Sequence, residues 1–123
     1  MPSRSIVVVE DDPWVASAFT RELERAGFLV RCAQNGLEGM QLIDDIHPDV
    51  VVLDVFLPGP NGMVLLHELQ SHSDLASIPI VICTTSAADI PKDSLRSYGV
   101  RRVLDKTSLA YGDVVAAVKR CLV

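Results

Sequence analysis

The sequence predicts an α/β fold in which a parallel five-stranded sheet is covered by helices on both faces. The first indication is three apolar, mostly β-branched runs, at 6–9, 50–53 and 78–84, which are typical of strands buried on both sides. The second is strict alternation, because five strand-like segments each precede a segment with helical spacing of apolar residues. Short connections and right-handed crossovers then require a parallel sheet. The third is that polar residues directly follow several of these strands.

The first predicted strand, 6–9, leads into a helix whose two ends carry capping residues. Asp12 is a natural N-cap, and Pro13 suits the first helical turn because a missing N–H costs nothing there. Gly27 suits the C′ position, where the backbone turns left-handed. The predicted inward side of this helix consists of apolar residues at helical spacing: Val15, Ala18, Phe19, Leu23 and Ala26.

A second strand and helix follow directly. Residues 28–33 form the predicted strand, and Asn35-Gly36 forms a turn. The helix ends before Pro48, because the residue that precedes a proline disfavours α geometry. Its predicted apolar stripe consists of Leu37, Met40, Ile43 and Ile46.

The second half of the chain repeats the alternation three times. After strand 50–53, a helix is predicted from Gly62 to about Gln70, with Met63, Leu66 and Leu69 facing inward. After strand 78–84, Pro91 delays a short helix that we place at about 90–98 and that Gly99 ends. The last strand is 100–105, and the last helix is predicted over 108–122. Its apolar positions are Leu109, Val114, Val115, Val118 and Leu122.

Length and composition indicate one folded domain that spans 1–123, without an effector domain. Hydrophobic residues make up 49% of the chain and charged residues 22%, so a packed core is expected. The net charge of −5 argues against direct binding to nucleic acid. No apolar run is long enough for a signal peptide or a membrane span. The three cysteines are widely spaced within apolar patterns, so we expect reduced packing residues and a cytoplasmic location.

Five polar side chains follow four of the predicted strands, and parallel strands bring them to one edge of the sheet. Glu10 and Asp11 follow the first strand, and Asp54 follows the third. Three carboxylates repel one another unless a cation lies among them, and oxygen ligands without His or Cys favour Mg²⁺. Thr84 ends the fourth strand and offers a hydroxyl, and Lys106 follows the fifth and offers a positive charge. This chemistry suits a phosphoryl group accepted by an aspartate.

Each of these residues also has an ordinary structural interpretation. Acidic pairs before a proline are commonly N-caps, and Asp54 could cap the loop or helix that follows it. Threonine at a strand end is often only a good β-former, and a lysine near a helix start is often solvated. The joint appearance of all five residues on strand ends favours a functional site.

The motifs at 8–13, 51–62, 78–84 and 99–106 carry a family resemblance. The chain resembles the receiver domain of two-component response regulators over almost its full length, including the string Leu53-Asp54 to Asn61-Gly62. The resemblance implies a flavodoxin-like doubly wound (βα)5 sandwich with strand order 2-1-3-4-5. It also implies a signalling phosphoacceptor that catalyses its own phosphorylation and dephosphorylation, rather than an enzyme acting on a separate substrate.

The resemblance also implies a role for each site residue. Asp54 would be phosphorylated by a histidine kinase or a histidine phosphotransfer protein, and would switch binding to a downstream protein or a fused effector domain. Asp11 would bind Mg²⁺ directly, Glu10 would bind it through water, and the Phe56 backbone carbonyl would be a further ligand. The phosphoryl group would be held by Thr84 and Lys106.

The sequence departs from the family pattern at several positions. Thr107 follows Lys106 where proline with a cis peptide is usual; a cis bond before a non-proline costs about 2.5–4 kcal/mol, so we expect a trans bond. Val103 replaces the aromatic residue of the usual Thr–aromatic switch. Pro91 indicates that the surface which the family uses for signalling and dimerisation has a different shape here. We therefore expect an output unlike that of regulators that dimerise through this surface. Phe56 cannot orient a hydrolytic water, which favours slow self-dephosphorylation.

Three alternatives stay open. A pseudo-receiver would keep the fold as a binding scaffold independent of phosphorylation, and the departures at Val103 and Thr107 favour it. A hydrolase of the Mg²⁺–aspartate type would need a second acid two residues after Asp54, where Phe56 stands. A flavin carrier would need hydroxyls and amides after the first strand, which instead ends in acids.

Overall fold

The computed structural model of the chain describes residues 3–57 and 62–123, and it confirms the predicted fold class. Five parallel strands form one sheet in the order β2-β1-β3-β4-β5. The loop 58–61, which carries part of the motif at 51–62, lies outside the described residues. The strands are β1 (Ser5–Val9), β2 (Leu29–Ala33), β3 (Val50–Leu53), β4 (Ile80–Thr84) and β5 (Val100–Asp105).

The described helices alternate with these strands as the sequence predicts. They are α1 (Pro13–Arg25), α2 (Gly36–Ile46), α3 (Gly62–Ser71), the short α4 (Lys92–Leu95) and α5 (Asp113–Cys121). Three 3₁₀ turns lie at Ala87–Asp89, Arg96–Tyr98 and Lys106–Ser108. No helix in the described part of the chain is both long and apolar enough to cross a membrane.

Alternating side chains of the central strands supply two hydrophobic layers, one on each face of the sheet. Val7, Val9, Val51, Leu53 and Ile82 pack on the side of α2 and α3. On the side of α1 and α5, the core consists of Ile6, Val8, Val50, Val52, Val81, Cys83 and residues of the two helices. A sheet buried on both faces explains why these strands are continuous apolar runs rather than alternating patterns.

The ends of α1 are capped as predicted, but one residue of the predicted buried side is wrong. The Asp12 side chain accepts hydrogen bonds from the backbone N–H groups of Trp14 and Val15, and Gly27 adopts a φ of 98°. Ala16 is buried and Ala18 is exposed, contrary to the predicted stripe. Both alanines fit a helical period, and only the contact with the sheet distinguishes them.

The segment after β5 differs from the predicted helix 108–122. Lys106–Ser108 is a 3₁₀ turn, and α5 begins at Asp113. The intervening chain turns at Gly112, which has a φ of 92° and whose N–H donates to Oε1 of Glu22 on α1 at 2.6 Å. Gly112 is thus the N-cap of α5, and it contacts α1.

Other expectations near the surface also need correction. The predicted helix 90–98 is divided into α4 and a 3₁₀ turn, which ends at Gly99 with a φ of 81°. Leu37 was expected in the inward stripe of α2, but 65% of its surface is exposed. Cys83 is buried as predicted, whereas Cys32 is exposed because β2 is an edge strand.

Candidate functional site

The site lies where β1, β3, β4 and β5 end, at one edge of the sheet. Glu10 directly follows β1 and is 2% exposed, and Asp54 directly follows β3 and is 8% exposed. Thr84 is the last residue of β4 and is fully buried, and Lys106 is the first residue after β5. Asp11 is exposed beside them. The parallel topology therefore brings all five predicted side chains to this edge.

Lys106 joins the two buried carboxylates. Its ammonium donates to Oδ2 of Asp54 at 2.7 Å and forms an ion pair with Oε1 of Glu10. Burial lowers the pKa of Lys106, but the bonds to Asp54 and Glu10 outweigh burial, and the pKa is raised overall. Lys106 is therefore held in its charged form, which balances part of the negative charge of the cluster.

Opposing effects act on the pKa of the buried Glu10 carboxyl group. Its burial raises the pKa of the carboxyl group, while the Lys106 ammonium and the Asp12 backbone N–H, at 3.2 Å from Oε2, act in the opposite direction. Apart from the ion pair with Lys106, Oε1 of Glu10 accepts no hydrogen bond from the residues that the structure describes. A buried carboxylate with an open lone pair has capacity for a further positive ligand.

Backbone contacts orient Asp54. Its own N–H donates to the Val9 carbonyl at 3.1 Å, which continues the sheet ladder beyond β3. The Phe56 N–H donates to Oδ1 of Asp54 at 2.9 Å, so each carboxylate oxygen has a different partner. The Phe56 side chain is 55% exposed. The Asp54 carboxylate is thereby fixed at the sheet edge with one oxygen facing Lys106.

Gly62 allows α3 to begin close behind Asp54. A Cβ atom at this position would lie 2.5 Å from Cα of Val55 and 2.9 Å from the Asp54 carbonyl oxygen, both backbone atoms. Only glycine permits this approach. Sequence reasoning treated Gly62 as the start of a helix and missed this packing role, because it depends on a contact across the loop.

Thr107 replaces the usual proline and stabilises the turn in another way. Its peptide bond with Lys106 is trans, as expected. The backbone N–H and the hydroxyl of Thr107 both donate to Oδ1 of Asp105, at 2.8 and 2.6 Å. These bonds lower the pKa of Asp105. The Asp-Lys-Thr order contains the signal for this turn, which the sequence analysis did not use.

The threonine hydroxyl of the site is engaged locally. Oγ1 of Thr84 accepts a hydrogen bond from the Ser86 backbone N–H at 3.4 Å. Beside it on β4, burial raises the pKa of the Cys83 thiol to about 12, so this thiol stays protonated at neutral pH. Val103 on β5 is half-buried and packs against the core on the α2–α3 side.

The carboxylates fit a hard divalent cation. Ligand oxygens of Glu10, Asp11 and Asp54 lie within 4.8 Å of one another, and two of the three residues are buried. Oxygen donors of this kind, with the open lone pair of Glu10, suit Mg²⁺. A second group, formed by Asp44, His47 and Asp74, lies on the exposed surface and already contains a His47–Asp74 pair at 2.9 Å.

A three-layer α/β sandwich with this acidic edge defines the class of protein. The family model for the response regulator receiver domain matches residues 6–119. The chain therefore belongs to the response regulator receiver domain family, whose place is in two-component signalling.

Individual relatives agree with this assignment. Protein PilH of Pseudomonas aeruginosa is 34% identical over 101 residues, which are 82% of this chain and 84% of that protein. The receiver domain of a signal transduction histidine kinase from Syntrophus aciditrophicus is 29% identical, with a TM-score of 0.82 over 98% of this chain and 90% of that one. The chemotaxis protein CheY4 of Vibrio cholerae has the same fold, with 21% identity, a TM-score of 0.88 and coverage of 98% and 99%.

Proposed function

We propose that the chain is a phosphoacceptor that receives a phosphoryl group on Asp54 from a histidine kinase or a histidine phosphotransfer protein. One observation carries the proposal: Lys106 is bonded to Asp54 within a group of carboxylates that can hold Mg²⁺. The change on Asp54 would switch the binding of a downstream protein or a fused effector domain. Phosphoryl transfer needs mainly positioning and positive charge, and this edge of the sheet supplies both.

The proposed transfer is a displacement at phosphorus. An Asp54 carboxylate oxygen attacks, an O–P bond forms, and the N–P bond to the donor histidine breaks, so the imidazole leaves and takes up a proton. Lys106 balances the charge of the phosphoryl oxygens, because its ammonium already contacts Asp54. Glu10 and Asp11 would hold Mg²⁺ together with Asp54 and the Phe56 carbonyl, and bound Mg²⁺ supplies further positive charge.

Hydrolysis of the acyl phosphate would complete the cycle, also within this chain. Phe56 stands two residues after Asp54 with an exposed apolar side chain, which cannot orient a water molecule. We therefore expect slow self-dephosphorylation, with a phosphorylated lifetime much longer than seconds. Loss of the label within seconds would contradict this expectation.

The test is the intact mass of the protein after incubation with acetyl phosphate and Mg²⁺. A single added phosphoryl group, with acetate as the leaving group, is expected for the wild type. The adduct should be absent from Asp54→Asn, which keeps the shape of the side chain, and from wild-type protein in EDTA. Asp44→Asn, in the exposed acidic group, is the matched control and should form the adduct normally. An adduct on Asp54→Asn would place the acceptor elsewhere.

A pseudo-receiver is the second candidate, and the region around Thr84 favours it. Val103 on β5 offers no aromatic ring to couple with the Thr84 hydroxyl. A scaffold of this kind would give no adduct and no change in Trp14 fluorescence with Mg²⁺. An adduct that leaves partner binding unchanged would also favour the scaffold, whereas an adduct that alters it supports the switch.

A further inference from the structure

An apolar groove with an acidic rim lies between α2 and α3, away from the carboxylate site. It has a volume of about 380 Å³. Its floor contains Leu37 and Met40 from α2 and Val64 and Leu65 from α3, and we call it the α2–α3 groove. Both helices expose apolar surface to this groove, since Leu37 is 65% exposed and Val64 is 48% exposed. Exposed apolar side chains bordered by charge are one feature of protein-binding sites.

The rim of the groove is acidic. Asp44 from α2 and Glu68 from α3 line it, and His72 at its lower end lies 3.8 Å from Glu68. Neither helix contains a lysine or an arginine. No lysine or arginine of these helices therefore competes with an incoming cation for the two carboxylates, and His72 lies beside Glu68 alone of the two.

This acidity is part of a larger division of charge along the chain. Residues 32–91 contain eight Asp or Glu and no Lys or Arg, whereas the rest of the chain carries all 11 basic residues and a net charge of +3. The middle segment supplies both α2 and α3. Charge complementarity therefore indicates a cationic occupant for the α2–α3 groove, which an anionic or purely apolar segment would not match.

The shape indicates a helical occupant. Both helices follow strands of a parallel sheet, so they run side by side in the same direction, and a third helix can lay one apolar stripe between them. At its basic surface around Arg96, Arg101 and Arg102, a second copy of this chain presents three arginines and two valines, of which Val100 is buried, so that surface matches the apolar floor less well.

We propose that the α2–α3 groove binds a cationic amphipathic helix of a partner protein. Its apolar side chains would cover Leu37, Met40 and Val64, and its Lys or Arg side chains would face Asp44 and Glu68. The groove shares no residue with the carboxylate site, so binding does not require a phosphoryl group on Asp54. The proposal therefore goes beyond the phosphoacceptor function and does not rest on it.

The test uses a defined probe, a 14-residue synthetic helix with leucines at i, i+3, i+4 and i+7 and lysines elsewhere, which spans α2 in length. Titration into ¹⁵N-labelled protein should shift backbone amide signals of α2 and α3 and give a dissociation constant. A peptide with glutamates in place of the lysines should bind at least tenfold more weakly. Shifts centred on Glu10 and Asp11 instead would overturn the proposal.

Variants separate the apolar from the charged contribution. Leu37→Ser and the double variant Asp44→Asn with Glu68→Gln should each weaken the probe about tenfold or more. Matched controls on the opposite face are Tyr111→Ser, which removes an exposed ring, and Glu24→Gln, which removes an exposed carboxylate. These should leave affinity unchanged. Equal losses in variants and controls would mean nonspecific charge attraction and would contradict the proposal.

Two cross-checks keep this proposal distinct from the phosphoacceptor function. Asp54→Asn should bind the probe like the wild type, and Leu37→Ser should still form the acetyl phosphate adduct. Far-ultraviolet circular dichroism and urea midpoints establish that each variant is folded. Loss of probe binding in Asp54→Asn would show that the groove depends on the carboxylate site, which would overturn the independence claimed here.

Discussion

At the scale of single residues, the site depends on a turn in which Thr107 stands where the family usually has a proline. Asp105 accepts two hydrogen bonds from Thr107, and the turn between them carries Lys106 to Asp54. A trans peptide thus suffices to hold the lysine over the carboxylate, because the aspartate and the threonine define the turn that a proline ring would otherwise restrict.

Thr107→Ala removes the hydroxyl bond at 2.6 Å and keeps the backbone bond to Asp105. We expect a small decrease in the urea midpoint, because the lost hydrogen bond lies at an exposed turn where water competes for both partners. Urea denaturation measures it, with Thr107→Ser as the variant that keeps the hydroxyl. A loss of similar size in Thr107→Ser would contradict the assigned bond.

Glu10 makes stability depend on pH in a direction set by its burial. Since its pKa is raised in the folded protein, that state holds the proton more tightly than the unfolded chain does, and stability falls as pH rises above 4.5 through the raised pKa. Glu10→Gln does not titrate. In EDTA, the urea midpoint of Glu10→Gln minus that of the wild type should therefore increase as the pH is raised from 4.5 to 7. A constant difference would contradict the effect of burial.

At the scale of elements, α3 begins so close to the backbone of Asp54 that the helix and the site are linked. Gly62 lies against the backbone of Asp54 and Val55, so the helix and the loop after β3 cannot be varied independently. Gly39 on α2 is different, because a Cβ there would meet the side chain of Val9 at 2.9 Å rather than backbone. A side chain can rotate away, and a backbone cannot without moving its element.

Gly62→Ala should lower the free energy of unfolding by about 1–3 kcal/mol, the cost typical of an added methyl in a packed place. It should also reduce the rate of adduct formation, because Asp54 must shift. Gly39→Ala is the comparison, and there the gain in helix propensity, about 1 kcal/mol, offsets part of the contact. If both variants lost the same stability, the backbone contact of Gly62 would not explain its presence.

At the scale of the whole molecule, the sheet gathers negative charge at one edge, and a bound cation should stabilise the folded state. Saturating Mg²⁺ at tenfold its dissociation constant should add about 1.4 kcal/mol and raise the thermal midpoint by a few degrees. Asp11→Asn should lose most of this shift. Asp44→Asn, in the exposed group with His47 and Asp74, should keep it. The reverse pattern would place the cation at the exposed group.

Much of the fold and of the site could be predicted because the signals are local. Apolar runs define β1, β3 and β4, and Asp12 and Gly27 mark the ends of α1 as the structure has them. The alternation of strands and helices requires the parallel sheet, and the parallel sheet brings Glu10, Asp54 and Lys106 together. These conclusions need only neighbouring residues and the rule that parallel strands end at the same edge.

Only the tertiary structure decided what depends on the approach of distant residues. The contact of Gly112 with Glu22 beside the start of α5, and the contact of Gly62 with Asp54, are visible only in the folded chain. The exposure of Leu37 follows from the arrangement of α2 beside α3, which leaves a groove instead of a closed layer. The sequence by itself therefore determined the family and the parallel sheet, and it predicted which side chains meet at one edge of that sheet. Packing decided helix boundaries and surfaces, because periodicity specifies a face of an element but not what lies against it.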